Sequence, residues 1–222
     1  MLFDFDGTLV DSAPDLVEAV NEVRKAHRLE PLPYEALRPF ATYGARSLLQ
    51  AGLGLTAQHA SYPAVREQFL RIYDERKLTR SRLFAGVEEV LTHLTRMGMP
   101  WGIVTNKHAR FAEPMVDALL TAIKLRPSVL LCGDSTPEPK PHPLPLTTAA
   151  ERLRCASESC WYVGDGENDL LAAKAAGMTS ILATYGYLPD RLAIEAWPIQ
   201  HGSHRIDQPS DLLPLLERAG DR

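Results

Sequence analysis

The run Phe3-Asp4-Phe5-Asp6-Gly7-Thr8 ends a short apolar stretch with two carboxylates at i and i+2. On an extended strand such residues share a face, but Gly7 turns the chain here, so the two acids are free to take different roles. A carboxylate such as Asp4 can attack phosphorus and form an aspartyl-phosphate. Asp6 can then protonate the leaving oxygen and later take a proton from the attacking water. Like-charge crowding helps to keep one of the two protonated until it is needed. Gly7 lets backbone N–H groups approach phosphate oxygens. Taken alone, the run also admits a second reading, a turn with two acids on it.

Three further polar clusters follow apolar runs or turns. Thr105-Asn106-Lys107 offers a hydroxyl and an amide to phosphate oxygens. Lys140 sits in the proline-rich turn Pro137-Glu-Pro-Lys-Pro-His142, where a rigid backbone suits a fixed positive charge on a transferring phosphoryl group. Gly164-Asp165-Gly-Glu-Asn-Asp169 supplies two more acids. A phosphate beside several carboxylates needs a cation, and Mg2+ takes one or two protein carboxylates, substrate oxygens and waters. Asp4, Asp165 and a backbone carbonyl near Asp6 meet that demand, with Asp169 placed to orient a ligand or a metal-bound water.

The elements that must hold these groups come in two textures. Met1 to Phe5 reads as a buried strand, abrupt enough that the natural start is expected a few residues upstream. Ser12 then reads as a helix cap, with Pro14 in the first turn and Asp15 three residues on, and apolar spacing continues to about Arg28. From Leu37 to about Arg80 the pattern stays helical, broken near Gly44 and at Gly52 to Gly54, with no strong strand. After Gly86 helical segments alternate with the apolar runs 101–105, 129–132, 161–164 and 180–183. Such alternation predicts a Rossmann-like α/β core, a parallel sheet with helices on both faces. Residues 1–11 and 83–222 are therefore expected to form the core, and 12–82 an inserted helical-bundle cap domain. Ligands of open α/β sheets bind beyond the carboxyl ends of the strands, where the four clusters fall.

Composition narrows the partners. The chain has 222 residues, 45% hydrophobic, with a formal net charge of −4, and no dense basic run suited to nucleic acid. No stretch is apolar and long enough to span a bilayer, and no secretory leader is evident. Three cysteines without a C-x-x-C pair fit reduced thiols, so a cytoplasmic protein, monomeric or a homodimer, acting on a small molecule is expected.

In this order the motifs resemble those of the haloacid dehalogenase superfamily of phosphohydrolases, over essentially the whole chain. The resemblance implies Asp4 as nucleophile and Asp6 as acid and base, with Thr105, Asn106 and Lys140 on the phosphate. It also implies Mg2+ held by Asp4, the Asp6 carbonyl and Asp165, supported by Asp169. Within the superfamily, Asp4 to Asp15, Val104 to Lys107, Lys140 to Pro143 and Tyr185-Gly-Tyr187 look like phosphoglycolate phosphatases. Trp101 to Lys107, Arg110 to Pro114 and Gly44-Ala-Arg46 are similar to N-acetylmuramic acid 6-phosphate phosphatases. Both substrates carry a carboxylate, which places Arg46 and Lys107 among the candidate specificity residues. Gly166 departs from the serine or aspartate usual after Gly-Asp in these subgroups. A related sugar phosphomutase, or a non-enzymatic phosphate-binding or signalling module, remains the alternative.

Overall fold

The computed structural model describes residues 1–188 and 204–220. Six parallel strands form the central sheet: β1 (Leu2–Phe3), β4 (Gly102–Val104), β5 (Val129–Leu131), β6 (Trp161–Gly164), β7 (Thr179–Ala183) and β8 (His204–Ile206), in the order β5-β4-β1-β6-β7-β8. From β1 the chain runs outward through β4 and β5, then returns to the other side of β1 to lay down β6, β7 and β8. The order thus reverses around β1, which makes its carboxyl end the switch point of the sheet.

Period-two side-chain alternation assigns the two faces. In register, Phe3, Ile103, Val163 and Ile181 point one way, into a core with α5 (Val87–Arg96), α6 (Ala109–Ala122) and α9 (Leu212–Gly220). Leu2, Val104 and Tyr162 point the other way, against α7 (Leu144–Leu153) and α8 (Glu167–Ala175). Helices therefore cover both faces, as the alternation of apolar runs implied. α5 to α8 begin and end within a residue of the stretches 87–97, 109–123, 144–153 and 168–176, whose apolar spacing is helical.

Between β1 and the rest of the sheet lies a helical segment framed by a small antiparallel ribbon. β2 (Val10–Asp11) pairs with β3 (Arg82–Leu83), so the chain leaves and re-enters at one place. Within it, α1 (Ala13–Ala26), the short α2 (Tyr34–Leu37), a 3-10 turn (Arg38–Tyr43), α3 (Gly44–Leu53) and α4 (Tyr62–Arg76) pack on one another. α1 buries Leu16, Val17, Val20 and Val23, the i, i+1, i+4, i+7 face of an amphipathic helix. Gly52 sits so close to α1 that a Cβ would fall 2.4 Å from the Val20 side chain.

Two local expectations are corrected. Ser12 makes no side-chain capping bond to α1; its hydroxyl donates to the Asp6 carboxylate instead. Asp15, expected to complete that cap, reaches across the ribbon. Its carboxylate accepts from the Arg80 N–H at 3.0 Å, the Ser81 N–H at 2.8 Å and the Ser81 hydroxyl at 2.7 Å. A buried carboxylate with three donors is well satisfied, and it ties the start of the helical segment to its end.

Candidate active site

The carboxyl ends of β1, β4 and β6 bring the sequence motifs together. Past Phe3, the Asp4 N–H still donates to the Val163 carbonyl at 2.8 Å, so Asp4 is held in the register of the sheet. Asp165 and Asp169 follow β6, and carboxylate oxygens of Asp4, Asp165 and Asp169 lie within 4.8 Å of one another. Asp169 also reaches back to the Gly166 N–H at 2.9 Å, capping α8. Among the described residues, the Asp6 carboxylate is not a member of this trio.

Lys140 is the counter-ion. Its ammonium is buried and lies within hydrogen-bond distance of four acceptors: Asp4 at 2.9 Å, Asp169 at 2.7 Å, the Tyr162 hydroxyl at 2.6 Å and the Val104 carbonyl at 2.9 Å. Burial works to lower its pKa, but the charges of Asp169 and Asp4 outweigh that and hold it above the ordinary value. Asn106 fixes the turn that carries it: the amide donates to the Lys140 carbonyl at 2.8 Å and its oxygen accepts the Lys140 N–H at 2.9 Å. The side chain expected to face phosphate is thus occupied in placing the lysine. Thr105 is buried at the end of β4, and its oxygen accepts the Lys107 N–H at 3.1 Å, leaving its hydroxyl proton for a ligand.

One ammonium does not balance three buried acids. Burial raises the Asp4 pKa to about 7, with Lys140 lowering and Asp169 raising it. Asp165 is pushed well above the carboxylate range by burial and by the charges of Asp4 and Asp169. Its Oδ2 accepts from the Tyr187 N–H at 2.8 Å, while its Oδ1 is buried without a partner among the described residues. An orphaned, buried oxygen in an all-carboxylate cluster fits a hard divalent cation. The backbone crowds this acid on two sides. A Cβ on Gly7 would fall 2.2 Å from Asp165 Oδ2, and one on Gly186 2.3 Å from its Cβ. Gly7 also has φ +79°, so its lack of a side chain is required twice over.

Above the acids opens a cavity of about 440 Å3, lined by Asp4, Asp6 and Thr105 below and by residues of α3 and α4 above. Arg46 and Arg66 both line it, and neither has an ion pair or hydrogen bond among the described residues. Arg66 was not singled out in the sequence, where it reads as one more charge on a helix; that it shares a cavity with Arg46 follows from the packing of α3 on α4. Lys107 also borders the cavity, but its ammonium is engaged by Asp6 at 3.0 Å and by the Tyr73 hydroxyl at 2.7 Å. Tyr162 was equally unmarked, and Tyr187 stood out only within Tyr185-Gly-Tyr187, with no role assigned. The Tyr187 hydroxyl accepts the Ser12 and Ala13 N–H groups at the start of α1. One residue thus joins Asp165 to the base of the helical segment.

Comparison with known proteins agrees with this geometry. A family model described as "Haloacid dehalogenase-like hydrolase" matches residues 1–183. A phosphoglycolate phosphatase of Xanthomonas campestris pv. campestris (strain 8004) is 43% identical over 190 residues, covering 84% of this chain and 83% of the relative. An N-acetylmuramic acid 6-phosphate phosphatase of Pseudomonas aeruginosa is 35% identical over 220 residues, covering 99% of this chain and 95% of the relative. A crystal structure from Haemophilus somnus 129PT, described as a predicted phosphoglycolate phosphatase, superposes with a TM-score of 0.81 at 28% identity, covering 97% and 96% of the two chains.

Proposed function

From the premise that the chain belongs to the haloacid dehalogenase-like hydrolases, and is a phosphoric monoester hydrolase of that family, we propose that it hydrolyses a carboxylate-bearing phosphomonoester through an aspartyl-phosphate on Asp4. The observation that carries the reading is the convergence on Asp4. It alone belongs to the acid trio, touches Lys140 and lines the cavity.

An Asp4 carboxylate oxygen attacks phosphorus as the bond to the leaving oxygen breaks, and Asp6 gives that oxygen its proton. The ionised Asp6 then takes a proton from water as the water attacks the aspartyl-phosphate. Phosphate departs and the Asp4 carboxylate is restored. The Lys140 ammonium and the Thr105 hydroxyl hold charge on the transferred group, and Asn106 keeps Lys140 in place. Mg2+, when held by Asp4, Asp165 and the Asp6 carbonyl with Asp169 in support, supplies the positive charge that the trio and the phosphate together require. Residues 12–82 act as the cap domain that closes over the substrate and keeps bulk water out.

Arg46 and Arg66 favour a substrate with a second anion, since a guanidinium pairs with a carboxylate bidentately. The substrates named for the two relatives both have one. A cavity of about 440 Å3 is larger than a two-carbon acid needs and suits a sugar, which favours N-acetylmuramic acid 6-phosphate over 2-phosphoglycolate. The test is kcat/KM measured side by side on these two compounds and on glucose 6-phosphate, following inorganic phosphate. The sugar acid is expected to lead 2-phosphoglycolate, and to lead glucose 6-phosphate by at least about tenfold, the worth of one added charge-assisted hydrogen bond. A lead for 2-phosphoglycolate would assign the space to something else, and equal rates on glucose 6-phosphate would remove the carboxylate. Dependence on a bisphosphate primer without net phosphate release would point to a mutase.

A further inference from the structure

Lys107 has no part in the steps above, yet it is the most elaborately held of the cations that line the cavity. Its ammonium donates to both oxygens of Asp6, at 3.1 and 3.0 Å, and to the Tyr73 hydroxyl at 2.7 Å. It also lies 4.6 Å from the centroid of the Tyr73 ring, and its side chain is 7% exposed. An ammonium has three protons, and all three are used. None remains for a substrate, so Lys107 is no ligand in this arrangement.

The three partners belong to different parts of the molecule. Asp6 stands in the turn after β1, Lys107 in the turn after β4, and Tyr73 on α4 of the helical segment. Tyr73 is itself seated firmly. It stacks on Phe69 with ring centroids 6.3 Å apart, meets Phe111 of α6 at 5.5 Å, and its hydroxyl donates to the Met115 sulfur at 3.4 Å. The Ser12 hydroxyl, at the entrance to α1, donates to the same Asp6 oxygen that Lys107 holds. The Asp6 carboxyl is therefore held directly by Ser12 at the start of the helical segment and is linked through Lys107 to Tyr73 near its end.

A carboxyl held at both oxygens keeps one rotamer; held at one, it turns about its last bond. Proton transfer falls off steeply when donor and acceptor are misaligned. We propose that Lys107 is a positioning residue for Asp6, aiming the proton-transfer carboxyl at the leaving oxygen while Tyr73 of α4 is seated on the ammonium. The proposal rests on the reading of Asp6 as the proton-transfer group, and it gives the closed helical segment a direct say in the chemistry.

Leaving-group dependence separates aim from architecture. An alkoxide needs a proton as it departs, and p-nitrophenolate does not, while kcat/KM reports only the steps up to its departure. In Lys107→Met, kcat/KM for an alkyl phosphate such as glucose 6-phosphate is expected to fall about 100-fold and that for p-nitrophenyl phosphate less than about threefold, the size of a lost general acid. Tyr73→Phe, which keeps the ring and the fold, should show the same selectivity at smaller size, and Lys107→Arg should restore part of it. Asp6→Asn is measured alongside. If it is selective and Lys107→Met lowers both substrates equally, the positioning role is overturned while the acid stands. If Asp6→Asn shows no selectivity, the reading of Asp6 fails and the proposal falls with it.

Discussion

The floor and the roof of the cavity are built on opposite principles. On the floor every group answers another: Lys140 spans Asp4 and Asp169, Asn106 pins the turn of Lys140, and Asp169 caps its own helix. Among the described residues, the Asp165 Oδ1 and the Thr105 hydroxyl proton are left over. On the roof two cations have no partner among the described residues: Arg46 and Arg66 border open space beside Tyr62 and Phe69. Buried, mutually satisfied groups are costly to rearrange, so the floor suits one reaction. Unpaired cations on a helical surface are cheap to change, so the roof suits the choice of substrate.

The sharpest way to break that contrast is to discharge the floor. Asp165→Asn is expected to lower kcat by about 1,000-fold or more, as loss of a metal ligand does when charge on a phosphoryl group goes unbalanced. The same change should stabilise the metal-free chain. Asp4 and Asp165 have folded-state pKa values above their ordinary ones, so between pH 4 and 7 the folded chain binds more protons than the unfolded chain. Stability of the metal-free wild type must then fall as pH rises through that window, and added Mg2+ should recover it at pH 7.5. In Asp165→Asn the fall should be shallower and the recovery by Mg2+ largely gone. Thermal unfolding in chelator and in Mg2+ across that range reads both, and equal slopes in the two proteins would contradict a trio strained by its own charge.

Disturbing the roof should do less, and differently. Arg66→Ala, alone and with Arg46→Ala, is expected to raise KM for the carboxylate-bearing substrate about tenfold per residue, with little change for p-nitrophenyl phosphate. A matching rise for both compounds would make these arginines general phosphate attractors and erase the division between the two surfaces.

The same division governs what could be read from residue order. Floor residues are each tied to a local event, an apolar strand ending in a turn, so Asp4, Thr105, Lys140 and Asp165 were visible as candidates before any geometry. The strands β4 to β7 were visible for the same reason, being short apolar runs between amphipathic helices. β2 and β3 were not, because two residues of each carry no pattern, and β8 was not, because His204 and Arg205 are exposed on an edge. Roof and hinge contacts are non-local. The pairing of Lys107 with Asp6 joins positions 101 apart, and that of Tyr187 with Ser12 joins positions 175 apart. Ser12 and Asp15 show how a strong local signal can be used otherwise. Their spacing spells a capping motif, but the nearby Asp6 and the returning Arg80-Ser81 backbone were better partners for both side chains.

Everything on the floor is arranged around Asp4, and that residue offers the most direct test. Enzyme mixed with substrate and Mg2+, quenched during turnover and reduced with borohydride, should carry homoserine at position 4 in place of aspartate, because an acyl phosphate is reduced where a carboxylate is not. Mass spectrometry of the N-terminal peptide reads the change, with a substrate-free sample as control. Homoserine at position 4 only in the presence of substrate is the expected result. Continued phosphate release with Asp4 unmodified, or the label at another carboxylate, would contradict it.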